Sequence, residues 1–269
     1  MTGPLAKRAQ RRNAGAWPRG AWLAVMTAYF FLPLLAMLVY SLWAGGSRYN
    51  FSAYGRVLAD PQFRQTFSLS FTLAVETIVI VLLIVTPAAF WVNLRAPGWR
   101  QALNLVSILG FVIPPIVLVG GLSTLYKGPP AFVGTPQFLV AGYVILALPY
   151  AFRTLDTGLR ALDLATLSEA ALSLGAGWGR VLISVVLPNL RAAILGTALL
   201  TLAIVMGEFT LANVLLFNTF AVYINYVGQT QGSPAAALSL LSLAITFLAM
   251  LGLLAAGRSR GAPSIPTTH

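Results

Sequence analysis

Long apolar runs separated by short polar stretches make up most of the chain, and within each run the apolar residues are continuous rather than alternating. A helix needs roughly 20 apolar residues to cross a hydrocarbon core about 30 Å thick. Six runs approach or reach that length: Ala21–Trp43, Phe67–Trp91, Leu103–Tyr126, Phe138–Phe152, Ala192–Phe217 and Ala235–Gly257. Continuity favours helices over barrel strands, whose lipid-facing and lumen-facing residues would alternate. The fourth run is the shortest, with Pro149 and Arg153 near its end. The pattern predicts an all-α membrane protein with six transmembrane helices. A basic arm occupies residues 1–20, the membrane domain 21–257 and a polar tail 258–269.

Cations orient this arrangement. With six crossings, the N-terminus, the second and fourth loops and the C-terminus share one side. That side carries Lys7, Arg8, Arg11, Arg12, Arg19, Arg95, Arg100, Arg153, Arg160, Arg180, Arg191, Arg258 and Arg260, thirteen of the seventeen basic residues. Arg48, Arg56, Arg64 and Lys127 fall on the other side, and no basic residue lies inside a run. The excess marks the cytoplasmic face, which places both termini and the segment 154–190 in the cytoplasm. A net charge of +11 in a chain only 9% charged then predicts contact with anionic membrane lipid, not with nucleic acid. KRAQRR ahead of the first run imitates a secretory signal, but the 23-residue run exceeds a typical signal core and lacks a clean small-x-small cleavage site. It reads as an uncleaved first helix.

Little catalytic chemistry is available. Cysteine is absent, and the single histidine, His269, is the last residue. The six acids are Asp60, Glu76, Asp156, Asp163, Glu169 and Glu208, and no two share a helical-turn spacing within a run. Paired-carboxylate catalysis, a histidine metal site and a thiol nucleophile therefore have no residues to use. GAGWGR, 175–180, has glycines but neither the lysine nor the preceding strand of a phosphate loop. Asp156 and Asp163 read as solvated surface. The composition predicts a chain that is not an enzyme by itself, with no catalytic, cofactor or metal residue.

The segment 154–190 is the longest stretch between runs. Its first part, TLDTGLRALDLATLSEAALSLGA, has apolar residues near helical spacing and reads as helix until Gly175, Gly177 and Gly179 end it. Val181–Val186 reads as a second helical piece that ends near Pro188. A helix–turn–helix of this kind offers a short knob to a partner with a complementary cleft; the alternative is an amphipathic helix lying on the headgroups.

Glu169, Ala170, Ala171, Gly175, Val185, Leu187 and Pro188 resemble the cytoplasmic signature of binding-protein-dependent ABC importer permeases, Glu-Ala-Ala, three residues, Gly, nine residues, Ile, one residue, Leu-Pro. Valine stands here in place of the isoleucine. The resemblance implies the type I importer permease architecture (MetI-like) in the bacterial inner membrane. It also implies partners: separate ATP-binding ATPase subunits, a second permease of the same or similar sequence, and an extracytoplasmic solute-binding protein. In that family the loop is a coupling helix that docks into a cleft on the ATPase. The implied roles give Ala170 and Ala171 close approach, Gly175 the turn, and Glu169 a basic partner on the ATPase.

Within the runs, Glu76 and Glu208 stand out, because a carboxylate near a bilayer centre costs about 2.5–3.5 kcal/mol and should face protein or water. Gly207, Phe209 and Asn213 flank Glu208 as candidate pathway residues, and Pro114-Pro115 should bend the third run. Intramembrane acids without intramembrane cations suggest a cationic solute. The stretch 207–227 resembles permeases of the polyamine importer group, with ferric-ion and thiamine importers as alternatives. A proton-driven secondary transporter working through Glu76 or Glu208 is the rival from another class.

Overall fold

The computed structural model describes residues 16–125 and 134–258. Lys7, Arg8, Arg11 and Arg12 of the basic arm, Tyr126 and Lys127, and the tail with Arg260 and His269 lie outside them. The chain is helical throughout this part: α1 (Ala16–Leu42), α2 (Ser52–Ala59), α3 (Pro61–Leu94), α4 (Arg100–Val112), α5 (Pro115–Leu125), α6 (Phe138–Arg160), α7 (Leu164–Ser173), α8 (178–189), α9 (Arg191–Gly207), α10 (Thr210–Val214), α11 (Phe220–Thr230) and α12 (Gly232–Arg258). Among the described residues, the extended pairing is a single bridge between Trp43 and Tyr49.

Five helical segments are long and apolar enough to cross a membrane, and the bent pair α4–α5 makes a sixth if it counts as one span. The prolines at 114 and 115 set that bend, 103° between the two helices. Pro114 ends one ladder, and its carbonyl accepts from the N–H groups of Val117 and Leu118 to begin the next. The bend expected at Pro114-Pro115 is sharp enough to divide the third run into two pieces, neither about 30 Å long at 1.5 Å per residue. The fourth run is corrected the other way. Pro149 does not end α6, which continues to Arg160. A proline costs only its own bond to the carbonyl four residues back, here Ile145, and α4 packs closely there through Gly110.

Among the described residues two compact units emerge, one within 16–59 and 227–241, the other within 60–125, 134–226 and 242–258. In the first, α1 and α2 meet where Ser41 donates to the Leu38 carbonyl (2.7 Å) and pairs with the Tyr54 hydroxyl (2.8 Å). Ser233 of α12 donates to the Ser41 carbonyl. In the second, α3, α6 and α9 pack on one another and α4 lies against α6. Gly158 lets α6 and α9 touch: a Cβ there would sit 2.5 Å from Ala193 Cβ and 2.9 Å from Leu190 Cδ1. Val81, Val85, Ala89 and Phe90 of α3 and Ala151, Phe152, Leu155 and Leu159 of α6 form one end of the core with Leu164, Val181, Val186 and Leu190. That end carries the arginines and positions the site.

Candidate functional site

At the arginine-rich end, α6 stops at Arg160 and the chain turns through residues 161–163 before α7. Sequence periodicity predicts one continuous helix here; the structure divides it. Asp163 is the reason, since its side chain accepts from the Thr166 N–H (3.3 Å) as the N-cap of α7. The knob therefore begins at Leu164, not inside the 154–160 part of the expected loop.

Periodicity then sorts α7 into two faces. Leu164 and Ser168 are buried, and Ala171 and Leu172 pack against the core. Ala165, Thr166, Glu169, Ala170 and Ser173 are exposed, as is Leu174 just beyond the helix. Expected as a pair with a common role, Ala170 and Ala171 face opposite ways: Ala170 outward, Ala171 inward. Leu174 is 89% exposed, unusual for a leucine at a helix end, and sequence reasoning missed it as a surface residue. Its position on the α7 periodicity, one turn past Ala170, was the available signal.

Gly175 ends the helix as expected, and the geometry gives the cause. Its φ is +82°, the Gly175 N–H donates to the Leu172 carbonyl (2.9 Å), and the Ala176 N–H donates to the Ala171 carbonyl (3.1 Å). This pair of bonds is the Schellman closure, which calls for a left-handed residue just past the helix. Trp178 then begins α8, which passes through a π-helical segment, Val181–Val186, before the Leu187–Asn189 turn. The Leu187 N–H reaches the Leu182 carbonyl five residues back. Pro188, next in line, has no N–H to continue either register, and the chain is reset at Leu190 before α9. Leu187 is half-buried and Pro188 exposed.

Two contacts fasten this unit and its supports. The Arg95 guanidinium lies 4.3 Å from the centre of the Trp178 ring and 5.7 Å from that of Trp91. Asp156, expected as solvated surface, is instead a clamp. Its carboxylate accepts from Arg100 through Nε (3.1 Å) and Nη2 (2.6 Å), and from Asn93 Nδ2 (2.9 Å). The clamp joins the last turns of α3 and α6 to the first turn of α4. Sequence spacing does not show it, because the three residues meet only after the helices pack.

The candidate pathway residues do not converge. Glu208 is buried, and both of its carboxylate oxygens accept from the Leu211 N–H (2.9 and 3.1 Å), closing the first turn of α10. Gly207 is exposed, with open space where a Cβ would stand, so it does not serve close helix approach within this chain. Phe209 is half-buried. Glu76 is half-buried near the middle of α3 and makes no hydrogen bond or ion pair among the described residues. Pro114 and Pro115 lie at the α4–α5 bend.

Asn213 opens on a cavity of about 340 Å³ at the end of the unit away from the arginines, lined also by Gln62, Leu216, Phe217, Asn218 and Tyr226. Leu216 there has φ +59° and is 90% exposed. The rim is anchored to α3: Tyr223 Oη donates to Asp60 Oδ2, the Phe220 N–H donates to Ser70 Oγ (2.9 Å), and Phe220 stacks edge-on with Phe63 and Phe67. Ser70, one of the small polar residues near the start of α3, is thus spent on packing.

Against known proteins, residues 86–260 match the family described as binding-protein-dependent transport system inner membrane component, a transport component rather than an enzyme. The chain is 28% identical over 211 residues to the probable ABC transporter permease protein y4fN of Sinorhizobium fredii, covering 72% of this chain but only 36% of that protein. It is 28% identical over 237 residues to the putative 2-aminoethylphosphonate transport system permease protein PhnV of Salmonella paratyphi A, covering 84% of this chain and 88% of that one. Among solved structures, a bacterial ABC transporter involved in the import of the acidic polysaccharide alginate superposes with a TM-score of 0.72 at 14% identity, over 95% of this chain and 100% of that chain. At that identity the match speaks for the fold.

Proposed function

The chain belongs to the family of binding-protein-dependent transport system inner membrane components, and on that premise we propose that it is the permease subunit of an ATP-driven importer. Its substrate pathway would lie between this chain and a second permease, identical or similar, with ATP hydrolysis on separate ATPase subunits and solute delivered by an extracytoplasmic binding protein. The observation that carries the reading is the α7 knob. Glu169, Ala170 and Leu174 form an exposed face on a short helix whose other face is buried, closed by the Schellman turn at Gly175 and backed by α8 to Pro188. A surface of that size and rigidity suits a cleft on a partner. The proposed coupling loop runs from 161 to 190, with the arginine-rich end and both termini in the cytoplasm.

A second permease suits α1: apart from the buried Ser41 and the half-buried Met37 and Leu42, its residues from Gly20 to Leu42 are exposed within their own unit, which leaves apolar surface for contacts outside that unit.

For the solute, of the two acids behind the polyamine reading only Glu76 is left, because Glu208 is engaged by the first turn of α10. Of the proteins named above, one is described as a putative 2-aminoethylphosphonate permease and the fold neighbour as an importer of alginate. The proposal therefore stops at a small polar solute, with Gln62, Asn213 and Asn218 at the extracytoplasmic mouth. The test is uptake by proteoliposomes holding the chain with its co-purified partners. Uptake should require ATP and the binding protein and survive collapse of the proton gradient. Uptake that needs the gradient and no ATPase would replace this reading with the secondary transporter.

A further inference from the structure

A second cavity lies beside the Asp156 clamp. It has a volume of about 490 Å³ and is lined by Pro97, Arg100, Gln101 and Asn104 before and within α4, and by Phe152, Arg153, Asp156, Thr157 and Arg160 of α6. Its charge is unbalanced. The one carboxylate, Asp156, is occupied by Arg100 and Asn93. Arg153 and Arg160 recur seven residues apart on one face of α6, both exposed, and neither forms an ion pair among the described residues. Two guanidinium groups thus face a polar cavity with amide donors beside them, where the one carboxylate is hydrogen-bonded to Arg100 and is only electrostatically coupled to Arg160.

Depth along the helices points to the partner. Trp91 and Trp99, 50% and 72% exposed, flank this end of the unit, and tryptophan concentrates at the level of lipid headgroups. Along α4, Gln101 and Asn104 on the cavity wall are followed at helical spacing by Ile108 and Phe111, both exposed, and Phe111 rests edge-on against Tyr150 of α6. A polar, cationic pocket continues directly into an apolar strip. The geometry points to a binding site for a phosphate-bearing anion, held by Arg153 and Arg160 between α4 and α6, whose source is an anionic phospholipid headgroup with its acyl chain along Ile108 and Phe111. Basic pockets between membrane helices on the cytoplasmic side hold such headgroups by the same charge complementarity. Occupancy would brace the α6 end from which α7 departs; that consequence rests on the importer reading, whereas the binding itself does not.

Native mass spectrometry of the full-length chain in mild detergent tests it, with phosphatidylglycerol and phosphatidylcholine offered in parallel. Phosphatidylglycerol should be retained preferentially, and the double variant R153Q/R160Q should bind it about tenfold or more weakly, as expected for the loss of two near-surface charges. R153K/R160K should keep most of the binding, which separates lost charge from lost fold, and R48Q/R56Q, on the exposed α1–α2 side, should change nothing. Competition by glycerol 3-phosphate at equal strength would confirm the anion site but assign it to a soluble phosphate; no competition assigns it to lipid. Equal retention of phosphatidylcholine, or undiminished phosphatidylglycerol binding in R153Q/R160Q, would overturn the proposal.

Discussion

Gly175 is the residue on which the α7 turn depends most. Its φ of +82° lies where a Cβ costs roughly 1–2 kcal/mol, although the space around it is open. Gly175→Ala should therefore loosen the turn without a clash, and Gly175→Arg should also add bulk at the proposed ATPase contact. The expected outcome for Gly175→Arg is a folded, membrane-inserted chain whose complex hydrolyses ATP without matching solute uptake; the two rates, measured on the same proteoliposomes, check it. Asp156 makes a different kind of contribution. Asp156→Ala leaves Arg100 without its carboxylate and should cost about 2 kcal/mol, visible as a lowered unfolding temperature in detergent. Gly175 was legible in the sequence because a glycine after an apolar helical stretch implies a left-handed stop. Asp156 was not, because its partners Asn93 and Arg100 are more than fifty residues away and meet it only through packing. Glu208 was legible as a costly intramembrane charge, but the sequence did not reveal that its partner is the backbone of its own next helix.

At the scale of elements, breaks matter more than lengths. Apolar runs located every long helix, since burial in lipid leaves a helix no other backbone solution. Pro114-Pro115 marked the break at 113–115, but nothing in the runs located those at 161–163 or within Val181–Val186, where an N-cap or a change of hydrogen-bond register decides the local path. Pro149 shows why such signals are ambiguous: the same residue type that separates α4 from α5 is carried inside α6, because α4 closes over the freed carbonyl. Close helix contact depends equally on Gly158, where α6 meets α9. Gly158→Leu has nowhere to go beside Ala193 and Leu190, and should cost several kcal/mol by overpacking. It should reduce the yield of folded chain in detergent, while Gly207→Leu, into open space, should not.

For the whole molecule, the chain belongs to a family of transport components and shares its fold with an alginate importer. The exposed α7 face of Glu169, Ala170 and Leu174 is small and mixed, and its other face is packed against the core. Coupling through α7 is the central claim, and the absence of cysteine makes it directly accessible. A single Leu174→Cys, labelled with a photoreactive maleimide in the native-membrane complex, should cross-link to an ATPase subunit, with a yield that changes when ATP is added. The same label at Leu216, at the opposite end of the unit, should not reach the ATPase. No ATPase adduct from position 174 in a complex that transports solute, or an equal adduct from position 216, would contradict the account.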